Sequence, residues 1–438
     1  MCSAILIGVV GTSAWIMGYR LDLHEQEVKQ INLLQVGSFP AGAKIAIDDK
    51  ELSWRTPGRY DELEAGWHKV KYWLDGYRDW NKTLNLKAAE VRWLDYARLI
   101  PNEITSTEIA EFSAFHQAET SPSGDYILLH ENPMDLHFKL IDISDARNVK
   151  ATDLILPEGI ASGEVQIIEW DTSSNYILVN AGGEILRIDR RVPNESLNLT
   201  SLFNIAITEP HFLGGNNNII FALTGSDLRQ FDVSAKTFSA PVLKNVASYE
   251  LYGDGKIAFV MQSPDGQQVG VWYREKEYIY KQYDEVKPIL VNFTHYWRDD
   301  YLLVARDGAL EIVNKPFEDE HSVVSVDIGD MEFLTHNGGG RLIVLGGNGN
   351  FMTYDLQVEE LYSFTTDGFS GKPFWLDDYH IGYTVDGLLK TREFDGTNSE
   401  DLVEAVFFGV YSSNNEHLFT FMPTETGVVL RDSAMIVR

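Results

Sequence analysis

Eight times in the last three quarters of the chain, a short polar turn runs straight into a stretch of apolar residues. The occurrences are SPSGDYILL at 121–129, DTSSNYILV at 171–179, GGNNNIIFAL at 214–223 and YGDGKIAFVM at 252–261. WRDDYLLVA at 297–305, HNGGGRLIVLG at 336–346, WLDDYHIGYT at 375–384 and SSNNEHLFTFM at 412–422 complete the series. Successive starts lie 37 to 50 residues apart. Asp, Asn, Ser and Gly supply tight hairpin geometry, and the β-branched and aromatic residues that follow favour strands. Several runs are apolar at consecutive positions, the pattern of a strand covered on both faces. A unit of about 40 residues cannot bury both faces of its own small sheet, so the units must stack on one another. The expected fold class is all-β.

A second strand follows most runs: FKLIDIS at 138–144, EILRIDR at 184–190, DLRQFDV at 227–233, ALEIVNK at 309–315 and FMTYDLQ at 351–357. It tends to end in aliphatic-Asp or Tyr-Asp. An aromatic residue stands before the turn at Trp170, Phe212, Tyr252, Trp297 and Trp375. Turn, apolar run and Asp-ended strand together resemble the WD40-like or TolB-type propeller repeat, best at Trp170 to Val179. The resemblance implies that residues 102–438 form a β-propeller of eight blades, or seven if a terminal unit is degenerate. Residues Ala146–Ser162, in the longest gap, read as an insertion loop.

Residues 34–101 alternate with period two through LLQVGSF, KIAID, Lys69–Leu74, Trp80–Leu86 and Val91–Leu99, about six short strands. Pro40-Ala41-Gly42-Ala43, Asp48-Asp49, Thr56-Pro57, Gly66-Trp67-His68 and Gly76-Tyr77 punctuate them in order. This series resembles the PEGA domain, with Ala41 in place of Glu and Asp49 in place of Gly. The resemblance implies a small non-enzymatic β-sandwich-like module of bacterial and archaeal surface proteins. His68 has no companion ligands in sequence, and zinc needs three or four.

Ser3–Tyr19 carries no charge over 17 residues, ended by Arg20 and Asp22. As a helix it would span about 26 Å, the short end of a membrane crossing. Trp15 and Tyr19 suit an interface. No small-x-small cleavage site follows the run, which counts against a signal peptide, while the lack of a basic residue before it counts against both readings. Residues 1–20 are therefore expected to be a single-pass transmembrane anchor rather than a signal peptide, and 21–33 a polar stalk. The bulk of the chain is expected on the extracytoplasmic side of a cell membrane.

The chain has 438 residues and a formal charge of −29. Residues 1–101 balance 13 basic against 13 acidic residues, so the whole excess falls on 102–438. A domain of that charge is repelled by nucleic acid. Cys2 is the one cysteine, which excludes an internal disulfide. Gly368-Phe369-Ser370-Gly371 lacks the nucleophile-elbow spacing, and Gly371-Lys372-Pro373 is no phosphate loop. His116, His130, His137, His211, His295, His336, His380 and His417 stand singly. No catalytic, cofactor-binding or metal residue is assigned, and no cofactor is expected. The expected function is a binding scaffold presenting a propeller face to a protein, peptide or glycan. The alternative is a cell-envelope glycan lyase or hydrolase with its site in the propeller channel.

Overall fold

The computed structural model describes residues 19–22, 27–347, 349–365, 369–406 and 408–437. Of the expected anchor, residues 1–18 lie outside the described residues. Tyr19–Asp22 is a strand, paired antiparallel with Glu27–Gln30, and the next strand already begins at Asn32. The expected stalk at 21–33 is thus corrected to mostly paired strand, with Leu21 placed opposite Val28. Among the described residues no helix is long and apolar enough to cross a membrane.

The chain divides into two compact units. The first runs to Thr105 and adds two later segments, Thr397–Leu402 and Ala434–Arg438; the second holds Ser106–Gly396 and Val403–Ser433. The expected boundary at 101/102 is near the first division but does not anticipate the two returning segments.

The first unit is a sandwich of two sheets. One orders Gly58–Leu63, Asn32–Phe39 and Val91–Arg98, the last two parallel. The other orders Lys50–Arg55, Lys44–Ile47, Gly66–Trp73 and Trp80–Leu86. Alternation sends Leu34, Val36, Ile45, Ile47, Val70, Tyr72, Trp80, Leu84 and Leu94 into one core. Tyr72 and Trp80 stack there with centroids 4.6 Å apart. The punctuating residues have structural work. Thr56 Oγ1 accepts from Gly42 N (3.1 Å) and Ala43 N (2.9 Å) and meets Ser38 Oγ at 2.6 Å, so the Thr-Pro step holds the Pro40–Ala43 turn. Asp48 and Asp49 both take positive φ, +49° and +64°, as a tight hairpin turn demands.

The second unit contains, among the described residues, eight four-stranded antiparallel sheets. Their first strands are Gln117–Thr120, Val165–Trp170, Thr208–Leu213, Val246–Tyr252, Leu290–Tyr296, Phe333–His336, Phe369–Trp375 and Gly409–Tyr411, numbered here as blades one to eight. In blades one to seven the four strands follow one another in order. Blade eight differs: its outermost strand is Ser106–Phe112, from the start of the unit, paired with Val428–Ala434. The two ends of the unit therefore close one sheet. First strands of successive blades pack beside one another, as blade one does on two and blade five on six. The first strands are innermost and the eighth blade completes the ring.

The apolar runs turn out to be second strands. Their consecutive burial has a simple cause. Leu128 packs into the cluster shared with blade two, together with Val165, Ile167 and Ile177. Ile127 and Leu129 point the other way, onto Phe419, Phe421 and Leu430 of blade eight. All three are 0 % exposed. Each side chain of that kind contributes about 1.5–3 kcal/mol of burial. The Asp-ended segments are third strands, as in Glu184–Asp189 and Asp227–Asp232. The presumed insertion at Ala146–Ser162 is corrected: it holds a 3-10 turn, Ala146–Asn148, and the fourth strand of blade one, Lys150–Ile155. That strand, KATDLI, is exposed at its first four positions and so lacks an apolar signature.

Candidate ligand-binding rim

Every blade begins with an innermost strand and runs up and down in the same sense, so the eight first-to-second turns open on one face of the propeller. Four of them close identically. Ser121, Asp171, Asn337 and Ser412 each accept, through a side-chain oxygen, the N–H five residues on: Tyr126 (3.1 Å), Tyr176 (2.6 Å), Leu342 (3.0 Å) and His417 (3.1 Å). Each of the four opening residues is buried. The fourth residue of each turn has positive φ: Gly124, Ser174, Gly340 and Asn415. The Asp that ends a third strand caps the turn after it. Asp142 takes Ser144 N, Asp189 takes Arg191 N, Asp232 takes Ala235 N and Asp355 takes Gln357 N, at 2.8–3.0 Å. These side chains are engaged in holding their own loops.

Innermost strands grip one another through polar side chains. Gln117 of blade one donates to Ile167 O and accepts from Ile167 N, both at 2.9 Å. Glu169 of blade two accepts from His211 Nδ1 (2.9 Å) and from Phe212 N (2.5 Å) on blade three. Tyr249 of blade four donates to Glu209 O and lies close to Phe221 O (3.0 Å). Burial works against a charge on His211, but the Glu169 hydrogen bond and the charges of Glu169, Glu250 and Glu209 outweigh it and raise its pKa. Burial, with the same carboxylates, pushes the Tyr249 phenol well up. With its hydroxyl engaged by backbone carbonyls, Tyr249 is not set as an acid or base.

The turn of blade five breaks the pattern. Tyr296 pairs with Asp299, leaving Trp297 and Arg298 as a two-residue loop. Trp297 sits at the first central position with φ +60°, where glycine is favoured. Its side chain is 80 % exposed. It was grouped in sequence with the aromatics that precede the turns, but it belongs to the turn itself. The buried inner place in blade five is taken by Phe293, at 1 %. A bulky residue held in a left-handed conformation costs about 1–3 kcal/mol. Around it, His295 Nδ1 donates to Asp300 Oδ1 (2.7 Å), which also takes Lys256 Nζ (2.9 Å). Blade six adds Gly338 and Gly339, exposed and without side chains, and the buried pair in which Arg341 grips both oxygens of Asp355 at 2.8 and 2.5 Å. Blade seven adds Asp377 and Asp378, the latter bonded through its carbonyl to Asn337 Nδ2 (2.8 Å). Burial and the neighbouring Asp377 charge push the Asp378 carboxyl above its ordinary value.

The eight single histidines do not converge. His137 meets Asp153, His380 meets Asp377 and His417 meets Asp432, each at 2.7–2.9 Å; His336 donates to Asn337 O at 2.8 Å. His116 and His130 have ring centroids 5.5 Å apart, and burial lowers the pKa of His130. His68 has Nδ1 on Asp48 Oδ2 (2.7 Å) and Nε2 on Glu64 O (2.9 Å), so neither nitrogen is open to a metal. Among the described residues no group of three or more His, Cys, Asp or Glu is placed to hold a metal ion. The opposite face carries clefts of about 500 Å³, floored by Arg306, Gly308, Gly329 and Met331, and about 660 Å³, beside His116, Gln117, Glu164 and Asn180. The rim around Trp297 had no signal in the sequence beyond a WRDD turn in which tryptophan replaced the usual small residue.

Comparison with known proteins divides along the same lines. Residues 31–99 match the PEGA domain family, so the sandwich is a PEGA domain. No match was found among curated proteins. Among solved structures, the C-terminal WD40 domain of Sif2 is similar at 14 % identity and a TM-score of 0.52, covering 76 % of this chain and 99 % of that one. An oligogalacturonate lyase from Vibrio parahaemolyticus matches at 9 % identity and a TM-score of 0.42, over 76 % of this chain and 94 % of that one. At such identities the likeness to the WD40 domain establishes the propeller fold alone.

Proposed function

We propose that this chain is a non-catalytic binding protein whose propeller takes a protein or peptide ligand on the rim formed by the turns of blades five to seven. The observation that carries it is Trp297, a large apolar side chain 80 % exposed on a backbone conformation that favours glycine. Exposed tryptophans of this kind are the anchors on which interfaces concentrate their energy. Asp377 and Asp378 in the turn of blade seven favour a ligand with a cationic side chain, since a positive charge offsets the burial and the Asp377 repulsion that raise the Asp378 pKa. We place the propeller outside a cell membrane, held by the uncharged run Ser3–Gly18. Full-length chain in the membrane fraction would support that placement, and a freely soluble product would remove it.

Selection from a peptide library on the immobilised full chain tests the rim. Trp297→Gly should weaken the selected ligand at least tenfold while the thermal midpoint holds or rises, because glycine relieves the backbone. A ligand bound equally well by this variant would overturn the rim assignment. The alternative, a glycan lyase or hydrolase acting in the channel, would draw on the His211–Glu169 pair of the innermost strands. Depolymerisation of a polysaccharide that disappears in His211→Ala would establish it instead.

A further inference from the structure

The PEGA domain carries a second surface, independent of the propeller rim. Its four-stranded sheet buries one face, with Ile45, Ile47, Val70, Tyr72, Trp80, Leu84 and Leu86 in the core. Alternation puts Trp67, Lys69, Lys71 and Trp73 on the other face of one strand and Asn81, Thr83 and Asn85 on its neighbour. The register sets them in rows: Trp67 opposite Asn85, Lys69 opposite Thr83, Lys71 opposite Asn81. On the other side Lys44 stands opposite Trp73, and Arg55 opposite Lys44.

Trp67 is 71 % exposed. The ammonium groups of Lys44 and Lys71 lie 5.7 and 5.9 Å from the Trp73 ring centroid. Lys44 is paired with Glu51 at 3.2 Å and Lys71 with Asp79 at 2.6 Å, while among the described residues Lys69 has no ion pair within 4 Å. The face presents Lys44, Arg55, Lys69 and Lys71, with Glu51 and Asp79 paired to two of them and Asp48 on the backbone N–H of Lys69, in a chain whose overall charge is −29.

We propose that this sheet face binds an anionic polysaccharide. The exposed Trp67 ring stacks on the apolar face of a sugar, the Asn and Thr rows bond its hydroxyls, and Lys69 meets its carboxylates. A lipid surface fits less well: beyond the two tryptophans the face offers Ala46 and no larger aliphatic side chain to insert.

Native gels of the full chain run with a polyuronate, a neutral polysaccharide, a single-stranded oligonucleotide or anionic phospholipid vesicles test the proposal. Retardation by the polyuronate is expected, falling with salt and weakened at least tenfold by Trp67→Ala and by Lys69→Glu. Circular dichroism should show both variants folded, since both positions are exposed. Trp297→Gly should leave the retardation unchanged, which separates this surface from the rim. No retardation, retardation that survives Trp67→Ala, or preference for the oligonucleotide or the vesicles over the polyuronate would overturn the proposal.

Discussion

Asp171 shows how much a single turn residue does here. It is 2 % exposed and accepts from Asn175 N (2.7 Å) and Tyr176 N (2.6 Å), with Ser173 and Asn217 completing its shell. Burial alone would raise its pKa, but the hydrogen bonds to its ionised form win and lower it. A depressed carboxylate pKa stabilises the fold above the unfolded value of about 3.9 and loses that stabilisation as pH falls through the folded value. Asp171→Ala is expected to cost about 3 kcal/mol in urea unfolding at neutral pH. Asp171→Asn should cost less and flatten the acid limb of the stability profile below about pH 4. Trp297 is the converse residue: its left-handed conformation works against stability.

At the scale of elements, the polar links between innermost strands set the spacing of the blades. The Glu169–His211 link includes an imidazole whose pKa the fold raises. His211 has a raised folded pKa, so its contribution is complete below the unfolded value of about 6.5 and is lost as pH rises through the folded one. Glu169→Gln should remove the ionic part. An NMR titration should then show the His211 midpoint falling, and the urea midpoint should no longer decline as pH is raised from 6 to 9. The second strands owe their character to the same stacking. A strand wedged between two blades is buried at consecutive positions, as Leu342–Gly347 is throughout, and one at the rim of its sheet, such as Lys150–Ile155, is mostly exposed.

For the whole propeller unit, one strand decides closure. Ser106–Phe112 precedes all the blades in sequence yet forms the outer edge of the last, and Phe112 meets Phe421 edge-on at 5.9 Å. Phe112→Ala should cost about 3 kcal/mol or more, read as a lower urea midpoint. Because this strand pairing closes the ring without a covalent bond, the loss should appear in the cooperative unfolding of the whole unit, with no separate melting of one blade.

Repetition made the blades legible. Eight polar turns, each leading into an apolar run, report a local requirement that every blade meets independently, and so do the Asp-ended third strands that cap their own turns. The PEGA turns were legible as an ordered series of turn residues, although Thr56 and Asp48 act on residues 13 to 21 positions away in the chain. Residues whose role depends on a distant partner left no such mark. Glu169 reads as one acid among many until the fold brings His211 beside it, 42 positions away. Trp297 reads as one more pre-turn aromatic until strand register moves it into the turn and Phe293 into the core. Sequence by itself therefore determined the repeating architecture and the two domain types, because local hairpin chemistry and alternation are written residue by residue. Only the tertiary structure decided the number of blades, the strand that closes them and the side chains left facing water, because register and ring closure are settled between segments far apart in the chain.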